Sequence, residues 1–148
     1  DSRRIRVSAW NPTEIDSCLL PPCHTDFQFY SEQIPNEPQR RLSIHFSMRS
    51  NDYFLGNPFN VSSYALLLAI VAQLVNMKPH MVVGSYVDCH LYINHIEAAK
   101  KQLSRNIIHL LPQLKLNSNV TNINQFEPVD IELVNYQSQS FIGAKVAV

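Results

Sequence analysis

Apolar and polar residues alternate most clearly over residues 41–48. Leu42, Ile44, Phe46 and Met48 face one way and Ser43, His45 and Ser47 the other, the period of a half-buried strand. Residues 4–10 also alternate and are β-branched, and Asn11-Pro12 stops them. Residues 25–30 read as another strand, with Phe27 and Phe29 on one face. Between these strands, residues 32–40 are polar and carry Pro35 and Pro38, so they form a loop or hairpin connection. Residues 81–91 and 129–136 are further expected strands, and residues 106–126 are mostly loop with a short strand near Leu114. An irregular tail ends at Val148.

Two stretches carry helical signals. Residues 64–75 are the most apolar of the chain, broken by Gln73. The helix they belong to runs to about residue 76, is apolar on nearly all sides, and is expected to be a buried central helix. Asn60, Ser62 or Ser63 can cap its start, and Lys78-Pro79 ends it. Residues 93–105 form an amphipathic surface helix with Lys100 and Lys101 outward. Helices and strands mix without a regular βαβ repeat, so the expected class is α+β with a mixed sheet.

Composition narrows the function. A length of 148 residues with 45% apolar residues fits one domain, residues 1–148, with an ordinary core. Twelve Lys+Arg against twelve Asp+Glu leave no net charge, which argues against polymeric nucleic acid as the partner. One small phosphate remains within reach of one or two arginines. The apolar stretch is shorter than the roughly 20 residues of a membrane span, so no membrane is expected. Cys18, Cys23 and Cys89 are odd in number and lack a CxxC pair, so neither a disulfide framework nor a metal site is indicated. Free thiols suit a reducing, cytoplasmic setting. No signal peptide is evident, and a start at Asp1 instead of methionine points to a piece of a longer protein.

Candidate chemistry sits in short motifs. Cys23 follows Pro21-Pro22 on a stiff turn, where a neighbouring cation would favour its thiolate; a packed cysteine at a strand start is the plainer alternative. His24 is a poor base for it, because adjacent side chains on a strand point to opposite faces. Arg49 and Ser50, with nearby backbone N–H groups, can cradle a phosphate monoester or form a solvated loop. Asn60 can read a uracil edge through its amide or cap a helix. Asp88, His90 and Tyr92 share a strand face by their spacing, suiting a sugar hydroxyl or simple buried polar packing. Arg3 and Arg4 are surface charge or an arm to a phosphate in a neighbouring subunit.

Together and in this order, these motifs resemble folate-dependent thymidylate synthases. The blocks are DSRRIRVSAWNP (residues 1–12), LPPCH (20–24), MRSNDYFLGNPFN (48–60), SYALLLAIVAQ (63–73), DCHLYINH (88–95) and a tail ending Lys145-Val146-Ala147-Val148. The resemblance covers roughly the second half of such an enzyme and implies a thymidylate synthase-like partial fold; the segment at residues 31–40 is longer than usual for the family and reads as an extended hairpin. It implies Cys23 as the nucleophile on C6 of dUMP, with methylene and hydride coming from 5,10-methylenetetrahydrofolate and no metal. Arg49 and Ser50 match phosphate ligands, and Arg3 and Arg4 match a pair donated across a homodimer of back-to-back sheets. Ser50, Asn51 and Asp52 match the loop around the pyrimidine, with Asp52 also at the pterin. Asn60 matches the uracil selector and His90 and Tyr92 the ribose ligands. Ala147 and Val148 match the segment closing over folate.

Some positions depart from the family pattern. Met48 replaces a glutamine, Asn51 a cysteine or small residue, and Tyr86 and Val87 stand where glycines are common. The tail after Tyr136 lacks the usual Pro-His-Pro. The glutamate, arginine and aromatic residues of the family's first half are absent from these residues, so a lone chain is expected to be inactive or nearly so unless another polypeptide supplies them. Two other readings stand beside the synthase: a deoxyuridylate hydroxymethylase, in which water replaces hydride, and a non-catalytic structural or binding module.

Overall fold

The computed structural model describes residues 2–106 and 110–147. The chain divides into two compact units, Asp1–His90 and Leu91–Val148. In the first, β1 (Arg6–Ser8), β2 (His24–Glu32), β3 (Arg41–Asp52) and β4 (Lys78–His90) form one sheet in that order. β1, β2 and β3 pair antiparallel, whereas β3 and β4 pair parallel. A parallel pair needs a crossover, and α1 (Gly56–Leu74) supplies it. The sheet is therefore mixed and the class α+β.

The core lies between α1 and β3. Ile44, Phe46 and Met48 on β3 meet Tyr64, Leu68 and Ala72, which recur every four residues along one stripe of α1. The Tyr64 ring stacks on fully buried Phe46 with centroids 4.0 Å apart. The expectation of a helix enclosed on all sides goes further than this burial. α1 is covered along that stripe and also at Ile70, off the stripe, while Phe59 (75% exposed), Val61 and Ala65 are open.

Local differences from the expected elements have local causes. α1 starts four residues before Asn60, so neither Asn60 nor Ser62 nor Ser63 is its cap. The N-cap position, Leu55, has no side-chain cap bond, and Asp52 holds the turn just before the helix: its Oδ1 accepts from the amides of Phe54 (3.0 Å) and Leu55 (3.2 Å). Pro58 fits the first turn because its missing N–H has no partner to lose there. At the other end Asn76 takes φ 52°, the left-handed conformation that closes a helix. β3 extends beyond residue 48 because its polar end pairs with β4: Ser50, Asn51 and Asp52 lie opposite Asp88, Cys89 and His90.

Gly84 explains how β4 accepts Tyr86. The Tyr86 ring lies over Gly84 and edge-on to Phe46, with ring centroids 5.7 Å apart. A Cβ on Gly84 would come within 2.6 Å of the Tyr86 hydroxyl and 2.7 Å of Phe46 Cζ.

In the second unit a 3-10 turn, Ile93–His95, leads into α2 (Ile96–Leu103). β5 (Gln113–Leu116) and β6 (Ile131–Val134) pair antiparallel. Before β6, the Asp130 carboxylate accepts from Asn117 Nδ2 (2.7 Å) and the Glu127 amide (3.0 Å), and these bonds, Asn117 first, hold its pKa below the ordinary value. Residues 107–109 of the expected loop lie outside the described residues.

Gly84→Ala is expected to destabilise the first unit by about 1–3 kcal/mol, the usual penalty for overpacking. Urea unfolding measures this, and an unchanged midpoint would show that Tyr86 and Phe46 move aside freely.

Candidate functional site

The site grows from the turn before β2. Pro21 and Pro22 stiffen that turn, and their carbonyls point at one side chain. Arg49 Nη2 donates to Pro21 O at 2.7 Å and Nε to Pro22 O at 3.1 Å. The backbone amide of Arg49 donates to Cys23 O at 3.0 Å. Three hydrogen bonds thus join residues 21–23 to one residue of β3. A guanidinium carries five N–H donors, so the two spent on the proline carbonyls leave others for an anion.

A bulge in β2 sets the direction of the turn. His24 pairs with Met48 and Asp26 with Ser47, leaving Thr25 as the extra residue. Its hydroxyl donates to Ser47 O at 3.1 Å. Cys23 is partly buried against the edge of the core cluster, with a free thiol. His24 has a partner on α1. Its Nδ1 shares a 3.1 Å hydrogen bond with the Tyr64 hydroxyl. Burial, and then the Asp26 carboxylate, push the Tyr64 phenol above its ordinary pKa, so it stays protonated at neutral pH.

The carboxyl ends of β3 and β4 bring together more of the predicted residues. Ser50 is partly buried opposite Asp88. Asn51 is buried (1% exposed), with Nδ2 3.5 Å from Met48 Sδ and Oδ1 3.7 Å from Cys89 Sγ. Two of the departures from the family pattern, Met48 and Asn51, thus contact each other. Asp52 is the residue that holds the entry to α1. His90 Nδ1 lies 3.4 Å from the Asp88 carboxylate, so these two share a strand face, but β4 ends at His90 and Tyr92, expected on the same face, lies beyond the strand at the start of the 3-10 turn. Gly56 sits between Asp52 and Asn60: a Cβ there would lie 3.5 Å from Asp52 Cβ and from Asn60 Nδ2. Asn60 is partly buried one turn into α1.

Arg3 and Arg4 precede β1 and are exposed. An open cleft of about 440 Å³ is lined by Arg6, Ser8, Trp10, Thr25, Asp26 and Arg49. It includes Arg49 alone of the predicted residues, and its Arg6 is paired with Asp26 at 3.0 Å. In the second unit, Tyr92 packs edge-on against His95 at 5.6 Å, and Ala147 is partly buried in the tail. Val148 lies outside the described residues. Among the described residues no group of three His, Cys, Asp or Glu side chains could hold a metal, and no helix is long and apolar enough to cross a membrane.

Comparison with known proteins assigns the family. A family profile described as thymidylate synthase matches residues 1–148. The chain belongs to the thymidylate synthase family. It is 47% identical over 148 residues to a thymidylate synthase of Mycoplasma mobile and 50% identical over 148 residues to one of Staphylococcus haemolyticus. The alignments take in all of this chain but 49% and 44% of those proteins, so the chain spans about half the length of the curated relatives it matches.

Sequence reasoning missed the Thr25 bulge, which has no Gly to announce it, and the pairing of His24 with Tyr64, which joins residues forty apart. It also passed over Asn94 and His95, although both stand in the motif DCHLYINH.

The two amide-bonded roles separate in stability. Asp52→Ala should cost about 1 kcal/mol through the lost bonds to Phe54 and Leu55. Asn60→Ala, away from the cap, should cost about 0.5 kcal/mol or less. Equal losses in urea unfolding would contradict this assignment.

Proposed function

We propose that this chain is the C-terminal catalytic half of a thymidylate synthase, converting dUMP to dTMP with 5,10-methylenetetrahydrofolate. The observation that carries the reading is the Arg49 clamp on the Cys23 turn, which keeps a cation beside the turn that bears the nucleophile. Cys23 adds through sulfur to C6 of the pyrimidine, and C5 becomes the carbon nucleophile that attacks the folate methylene. C5 then loses its proton, folate departs, and hydride from the folate completes the methyl group as Cys23 is expelled.

In this proposal Arg49 and Ser50 hold the phosphate, joined by Arg3 and Arg4 of a second subunit. Asn60 reads the O4/N3 edge of uracil, with Ser50, Asn51 and Asp52 around the ring. His90 and Tyr92 bind the ribose hydroxyl. Asp52 holds the pterin, and Ala147 and Val148 close over it. The family resemblance supports these roles. Asn60 supports its own in a further way, since it is not spent on capping α1.

The fold reading extends in the same direction. A first half on another polypeptide would cover the open apolar faces of α1 and make it the central helix of the complete enzyme. The partners are then dUMP, folate and a second subunit in a cytoplasmic homodimer.

The test is adduct trapping. A dUMP analogue with fluorine at C5 has no C5 proton to lose, so its ternary adduct with methylene-folate accumulates on the thiol. Mass spectrometry of the chain, combined with a family N-terminal half, should find the adduct at Cys23 and none in Cys23→Ser. An adduct that persists in Cys23→Ser would refute the assignment. Asn60→Asp should shift turnover from dUMP toward dCMP by about tenfold or more, the worth of one base-edge contact. Unchanged base preference would remove Asn60 from the site. Release of 5-hydroxymethyl dUMP instead of dTMP would replace the synthase by a hydroxymethylase.

A further inference from the structure

The unit Leu91–Val148 contains two polar side chains that no step above uses. His95 is fully buried at the end of the 3-10 turn, and its Nε2 lies 2.8 Å from the carbonyl of Lys145. Asn94 Nδ2 donates to the same oxygen at 3.1 Å. A carbonyl only accepts, so His95 Nε2 carries a hydrogen there, and the two donors engage both lone pairs of one oxygen. The ring is held by burial, by its edge-on contact with Tyr92, and by the backbone bond from the His95 amide to Tyr92 O at 2.9 Å.

The same tail is fastened once more upstream. Arg105 Nη2 donates to Ser140 O at 2.7 Å, and Gln139 Nε2 donates to Asn106 O at 2.7 Å. Between the fastenings lie residues 141–144, with Phe141 exposed. We infer that Asn94 and His95 are positioning residues, a two-donor clamp that fastens the C-terminal strap through its backbone and sets the register of its last residues. A slip of one residue along an extended chain moves each carbonyl by about 3.3 Å and breaks both bonds. Because the clamp grips main chain, it tolerates the unusual tail sequence after Tyr136. Its consequence for catalysis rests on the synthase reading, in which this strap closes over folate; the clamp itself does not.

The experiment is ¹⁵N relaxation on the full chain. Val146 and Ala147 should show order parameters near the rigid value of about 0.85, falling below about 0.6 in Asn94→Ala/His95→Leu. Each single variant should fall between. His95→Gln, which keeps a donor near the Nε2 position, should recover most of the order when Asn94 is intact. α2 and the β5–β6 pair should stay rigid throughout. Unchanged order at residues 146 and 147 in the double variant overturns the inference. So does loosening of α2 together with the tail in the exposed Asn94→Ala variant, because Asn94 would then hold the unit and not the strap. Failure of the Cys23 adduct in the unsubstituted chain would refute the synthase reading and leave these relaxation values as they are.

Discussion

One arginine joins two parts of the chain that carry different chemistry. The guanidinium of Arg49 takes the carbonyls of Pro21 and Pro22, and its amide takes that of Cys23. A charged donor on a neutral carbonyl is stronger than an ordinary amide bond. Here it acts on a turn that two prolines have already stiffened, so little backbone entropy remains to be lost. The position of the thiol is thereby set relative to the strand end that bears Ser50, Asn51 and Asp52. The link adds to the β2–β3 pairing, which sets His24 opposite Met48 and so brings residue 49 beside the Cys23 turn.

The core keeps this arrangement rigid. Phe46 and Tyr64 stack face to face, Tyr64 also holds His24, and Tyr86 packs edge-on against Phe46 over Gly84. This chain of aromatic contacts runs from the strand that follows Cys23 to the strand that ends in His90. The same core residues thus support both edges of the proposed pyrimidine site. The glycine beneath Tyr86 matters because the aromatic ring fills the space that any side chain there would need.

In the second unit the polar side chains grip backbone. Asn94, His95 and Arg105 all address carbonyls of the tail, so its path depends little on which side chains the tail carries. The first unit uses the same device once, at Arg49, and combines it with apolar packing.

Much was legible in the residues themselves. The period-2 pattern of residues 41–48 marks β3 because alternation is a local property of an extended chain. The apolar run after Ser63 marks α1 for the same kind of reason, and the ordered motif blocks pointed to the family that the comparisons then assigned. Long-range geometry was not legible. Asn60 reads as a cap until Asp52, eight residues earlier, is seen to hold the helix entry. The Thr25 bulge exists only in the pairing of β2 with β3, and the Arg49 clamp only because that pairing brings residue 49 to residues 21–23. Local residue preferences determined which segments extend and which coil. Strand register decided which side chains meet, because a hydrogen bond between distant residues has no signature in either segment alone.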